Sequence, residues 1–178
     1  MTRAKMEAGR LVLPARGVWT LVVPVGFVAA AVMFPAAAHL TGAPVRWLLP
    51  MHWPVILAGL LFGWRGGLTV GLLAPGTNWL LTGYPLLVKL LPMTVELAVY
   101  GFAAGWLREK AGWNGFAAVA VALVAGRLFF LVSIFLTGVN EVPFGHYVIA
   151  AMMPGLVAGA AQLVSLPLLA KYFLSRTD

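Results

Sequence analysis

Residues 115–137 read GFAAVAVALVAGRLFFLVSIFLT, an apolar run with a single charge, Arg127, near its middle. Residues 92–107, PMTVELAVYGFAAGWL, repeat the pattern with Glu96 in place of the arginine. An arginine at the centre of a bilayer costs roughly 2.5–3.5 kcal/mol even on the lenient insertion scale, so an ionisable group there marks a functional site by default. Two opposite charges kept in two such runs point to a polar pocket inside a membrane protein.

Composition agrees. Of 178 residues, 62% are hydrophobic and only 10% charged, whereas a soluble domain averages about a quarter charged. A core of this size cannot hide so much apolar surface, so the solvent must largely be lipid. The net charge of +7 comes from basic residues at the ends of apolar runs. No basic face interleaved with aromatics exists, and no nucleic-acid partner is expected. With no cysteine, thiol catalysis and cysteine-ligated metal sites are ruled out. The chain has no GxxxxGK[ST] phosphate loop, no HExxH and no GxSxG. Ser133 and Ser165 lack any nearby base in sequence. Neither enzyme activity nor a cofactor or metal is expected.

Six apolar segments can be drawn, at roughly 17–41, 51–64, 67–83, 92–108, 114–137 and 146–171. They predict an all-α membrane protein, one compact bundle of six transmembrane helices forming a single domain over 1–178. The second and third are short for full spans, which need about 20 residues, and one long bent helix would reduce the count to five. Charge favours six. With the N-terminus inside, nine of the 12 basic residues fall on the inner side, namely Arg3, Lys5, Arg10, Arg16, Arg65, Arg108, Lys110, Lys171 and Arg176. Only Arg46 and Lys89 fall outside, as the positive-inside rule requires with both termini cytoplasmic. Five spans would strand Arg65 in lipid. The start, with its basic residues before an apolar run ending in Pro35-Ala36-Ala37-Ala38-His39, has features of a signal peptide, but the run from Val18 to Phe34 exceeds the usual length of about 7–15. A first membrane helix is the expectation. Trp19, Trp64, Trp106 and Trp113 then mark the inner interface, and Trp47, Trp53 and Trp79 the outer one. Glycine pairs at i, i+4 (Gly59/Gly63, Gly67/Gly71, Gly101/Gly105, Gly155/Gly159) suit close helix approach.

Polar residues gather toward the outer half. At about 1.5 Å per residue, Glu96 lies about 6 Å below the outer end of its helix and Arg127 about 15 Å below the end of its own, close enough for the long arginine to reach up. Asn78 lies near the depth of Glu96, and Tyr100, at i+4 from Glu96, shares its helix face. The outer loops add His52, Tyr84, Lys89, Asn140, Glu141 and His146. A substrate pocket opening outward is the simplest arrangement, with Glu96, Arg127, Asn78, Tyr100, His52, Trp53, Tyr84 and Asn140 as candidate contacts. The bland alternatives are a purely structural Glu96–Arg127 pair, interface anchoring by Trp53 and solvation of His52 and His146 in loops.

The blocks MHWPV (51–55), LAGLLFGWRGGLTVGLLAPGTNWLLTGYP (57–85) and PMTVELAVYGFAAGWL (92–107), with Gly126-Arg127 and Met153-Pro154-Gly155, resemble the substrate-binding S components of energy-coupling factor (ECF) vitamin transporters. The resemblance covers about 50–170. It implies a subunit of a prokaryotic cell membrane that captures a vitamin or similar micronutrient from outside. The family's outer loops cap its sites. It further implies docking to a transmembrane coupling subunit that carries two cytoplasmic ATPases, with delivery by toppling in the membrane. Docking in the family uses small residues spaced by four on the first helix, here Gly26 and Ala30. The substrate stays open. Two other readings compete: a rod-shape scaffold subunit, which would lack a ligand cavity, and a self-sufficient transporter with Glu96 as its proton carrier.

Overall fold

The computed structural model of the chain describes residues 11–13, 17–138 and 144–176. It contains α1 (Trp19–Leu40), a single turn α2 (Val45–Leu48), α3 (His52–Thr82), α4 (Leu87–Glu109), α5 (Gly115–Thr137) and α6 (Phe144–Leu174), with no strand among the described residues. All but α2 are long and apolar enough to cross a bilayer. Their outward faces carry large apolar side chains such as Leu21, Leu80, Leu136 and Ile149, each more than two-thirds exposed. Such a surface is stable only against hydrocarbon.

Local signals set the helix ends. The Asn114 Oδ1 accepts a 2.8 Å bond from the Ala117 N–H, capping α5, as Asn does well at an N-cap. Gly138, at φ 61°, stops the same helix in the left-handed conformation that costs glycine least.

α3 is not straight. Gly63 takes φ 75°, ψ −174°, and the chain doubles back there. His52 and Asn78 line one cavity, although a straight helix would hold them about 39 Å apart. Packing against α4 shows the same reversal: Gly59 lies against Gly101 and Gly105, Gly63 against Glu109, Gly67 against Gly101, and Gly71 against Leu97 and Ala98. The partner thus moves along α4 toward Glu109 and then back. The reversal exposes a fresh helix N-terminus, and Glu109 Oε2 accepts the Trp64 N–H at 3.3 Å, a favourable place for a carboxylate.

The segments expected as separate spans, 51–64 and 67–83, are therefore the two arms of α3, which meet at the Gly63 reversal. One residue suffices for the turn because glycine alone takes that conformation cheaply and Glu109 satisfies the amide that follows it. The first arm, 52–62, is about 16 Å long, roughly half the hydrocarbon thickness.

Three of the expected glycine pairs form the seam between α3 and α4. A Cβ at Gly59 would fall 2.5 Å from the Gly101 carbonyl oxygen, and one at Gly101 would overlap the backbone of Gly67. Backbone cannot move aside as a side chain can. Gly101→Ala is expected to lower the melting temperature in detergent markedly. Gly76→Ala, where nothing lies within 4 Å, should leave it unchanged or slightly higher. Equal behaviour of the two variants would refute the seam.

The bundle has two distinct ends. One holds His39, Leu49, His52, Asn78, Tyr84 and Met93 around a cavity. At the other, near Gly63, the Leu13 N–H donates to Leu61 O at 2.6 Å. There Arg108 donates to Trp113 O at 3.2 Å and Leu11 O at 3.3 Å. Lys171 lies near them across a second cavity. Of the basic residues assigned to the inner side by charge, Arg65, Arg108, Lys110 and Lys171 thus collect at the Gly63 end.

Candidate functional site

Glu96 lies deeper than its sequence context suggests. α4 begins at Leu87, not at 92, so Glu96 is nine residues inside, about 14 Å. Pro92 sits within the helix rather than at its start, and Lys89 lies in its exposed first turn. Arg127 is ten residues from the end of α5, about 15 Å. The two charges therefore meet at the same level, with no upward reach needed.

They meet directly. Arg127 Nη1 lies 3.1 Å from Glu96 Oε1, and the Tyr100 hydroxyl donates to the same oxygen at 2.8 Å. His52 Nε2 stands 3.7 Å from Glu96 Oε2, and its ring centroid is 5.3 Å from that of Tyr100. Glu96 and His52 are both 2% exposed. Three groups on α3, α4 and α5 thus surround one carboxylate, compensating a charge that burial would otherwise make very costly. The Arg127 Cζ also lies 5.4 Å from the centroid of the Phe130 ring, within cation–π range.

Glycines make the arrangement possible. The Tyr100 ring lies where a side chain at Gly126 would be, and a Cβ at Gly155 would fall 2.6 Å from Arg127 Nη2. Gly126-Arg127 and Gly155 therefore work together: one admits the phenol, the other admits the guanidinium.

Two cavities flank the cluster. The larger, about 410 Å³, lies between α5 and α6, with Tyr100, Arg127 and Gln162 as its polar lining. Exposed Val124, Leu128 and Leu156 form its rim, so it opens through the side of the bundle and centres on the middle of α5. The smaller, about 220 Å³, lies beside His52, Asn78 and Tyr84. Leu49, at φ 44°, lines both, so the α1–α3 connection reaches down between them. Asn78 Nδ2 donates to Tyr84 O at 2.8 Å. Asn78 Oδ1, both His52 ring nitrogens and Gln162 Nε2 are buried without hydrogen-bond partners among the described residues. Unpaired buried polar atoms cost about 1–3 kcal/mol each, which favours a ligand that pairs with them.

Of the candidate contacts, Glu96, Arg127, Tyr100 and His52 form one cluster, and Asn78 and Tyr84 line the smaller cavity. Trp53 is placed differently: its Nε1 donates to Leu48 O at 2.8 Å, fastening the turn of α2, and it lines neither cavity. Asn140 and Glu141 lie outside the described residues. A Cβ added at Gly26 would meet nothing within 4 Å, and the residue lies with Ala30 on α1. From sequence Gln162 falls in the inner half, apart from the candidate contacts. As the single amide inside a long apolar helix that ends at Leu174, it carried the same signal as Arg127, but without the charge.

The arrangement offers hydrogen-bond donors to apolar space: Arg127, Tyr100 and Gln162 line the larger cavity, with the Glu96 carboxylate held behind them. No curated protein and no solved structure matches this chain. A family model described as the ECF transporter substrate-specific component matches residues 20–174. With its membrane helices and buried polar cluster, the chain belongs to the family of substrate-specific components of ECF transporters.

Proposed function

We propose that this protein captures a vitamin or related micronutrient in the space beside Glu96, Arg127, His52 and Tyr100. It hands that solute to a transmembrane coupling subunit driven by two cytoplasmic ATPases. The observation that carries this reading is a charge cluster held at mid-membrane between two cavities. A fold-stabilising pair would need no adjoining space, and a scaffold protein would have no cavity. Glu96 is the positioning residue, holding Arg127 and Tyr100 at the wall of the larger cavity. Asn78, Tyr84 and Asn140 are taken as contacts nearer the outer mouth, and Trp53 supports the loop that closes it. Tight capture requires work for release, and this chain has no phosphate-binding loop, so the work falls to a partner. Docking is assigned to the open face of α1 around Gly26 and Ala30.

The reversal at Gly63 supports six passes, with both termini and the Gly63 end on the cytoplasmic side of a prokaryotic plasma membrane. Because the chain has no cysteine, single cysteines report topology cleanly. A cysteine at Ser175 should react with an impermeant maleimide only in inverted vesicles, and one at Tyr84 only in intact cells. The opposite pattern would overturn the orientation.

The function itself is tested by mass spectrometry of small molecules released from protein extracted in mild detergent. A stoichiometric solute in wild type that is lost in Arg127→Ala is the expected result. No solute in either, together with no uptake when the coupling module is co-expressed, would reject substrate capture.

A further inference from the structure

We infer that the larger cavity takes an uncharged, elongated ligand: an apolar body with a hydrogen-bond acceptor, such as a carbonyl or ring nitrogen, at each end. This rests on the capture reading and narrows its substrate class.

Charge comes first. Among the described residues Arg127 is the only charged one on the wall of this cavity, and Glu96 already pairs with it. An anionic ligand would bring a second negative charge to a guanidinium that is already neutralised. A cationic ligand would find no carboxylate among the described residues of the lining. Either would be transferred from water into a largely apolar space without a counter-charge, which is costly.

Donors come next. A guanidinium has five N–H groups and an amide nitrogen two. Glu96 and the Tyr100 hydroxyl take contacts from Arg127, and Gln162 Nε2 has no partner among the described residues although the residue is 1% exposed. Acyl chains entering from the bilayer offer no acceptor. Water in a space walled mostly by Leu, Val and Ala would lack the two to four polar partners that hold it. The missing acceptors therefore belong to the ligand.

Spacing fixes its shape. Arg127 lies against Gly155, and Gln162 follows seven residues later, two turns along the same face of α6 and about 10 Å away. Between them lies Gly159, which also lines the cavity. A Cβ there would meet Leu123 at an ordinary 3.7 Å. Packing does not demand glycine at this position, and the volume it leaves open belongs to the ligand body.

Three probes of one chain length test this: octanediamide, with a neutral acceptor at each end; octanamide, with one; and octanedioate, with two charged ends. Titration calorimetry on protein in lipid nanodiscs should show octanediamide binding about tenfold tighter than either of the others, the discrimination of one well-placed acceptor pair. Gln162→Leu should bring octanediamide down to the affinity of octanamide. Equal affinity of the two amides, a preference for octanedioate, or an unaltered preference in Gln162→Leu would each overturn the inference. If no probe binds while a solute still co-purifies, the two-ended neutral class is wrong and capture stands. If neither is found, both fall.

Discussion

Glu96→Gln and Arg127→Ala are each expected to weaken substrate binding by more than about tenfold, at least about 1.4 kcal/mol, while the protein stays folded. The two variants fail differently. Glutamine keeps the shape of Glu96 and can still accept the Tyr100 hydroxyl, but it leaves the guanidinium without its counter-charge. Arg127→Ala removes the donor at the cavity wall and leaves the carboxylate with Tyr100 and His52, both within 4 Å. Removing one partner of a buried pair typically costs about 3–5 kcal/mol of stability, whereas replacing both by neutral groups is often harmless. The double variant Glu96→Gln/Arg127→Met therefore separates the two roles. Its thermal stability should recover toward wild type, as coupled neighbours do not add, while binding stays lost. If binding returned with stability, the pair would be scaffolding and its place beside the cavity incidental.

Much of this was legible in sequence because the bilayer imposes simple rules. The apolar runs, the pairing of Glu96 with Arg127 and the shared face of Glu96 and Tyr100 all follow from hydropathy and helical spacing. Depth was less legible. Pro92 looks like a helix start and Lys89 like a break in the apolar run, yet α4 begins at Leu87, and this moves Glu96 down to the level of Arg127. His52 reads as a loop histidine because the turns before it are polar or proline-rich. It is buried because the connection through α2 reaches into the bundle, so α3 begins beside Glu96 rather than at the surface. No local pattern encodes that descent. The glycine pairs were visible as pairs, but which helices they join depends on the path of α3.

That path supplies the second large expectation: Gly63→Ala should destabilise the protein far more than any other single methyl addition at a turn. At φ 75°, ψ −174° Gly63 occupies a region open essentially to glycine alone, where other residues cost about 1–3 kcal/mol. The added methyl would also overlap the Glu109 carboxylate, which holds the Trp64 amide and opens the second arm. Gly83→Ala is the natural comparison. It has the same φ of 75° but ψ near 0°, and nothing lies within 4 Å, so its cost should be about 1 kcal/mol. Because the reversal alone brings His52 and Asn78 to one cavity, loss of the Gly63 turn should abolish solute co-purification along with the cooperative thermal transition. Gly83→Ala should retain both. Matching melting temperatures for the two variants would mean that α3 does not double back at Gly63, and the cluster of His52, Glu96 and Arg127 would lose the element that assembles it.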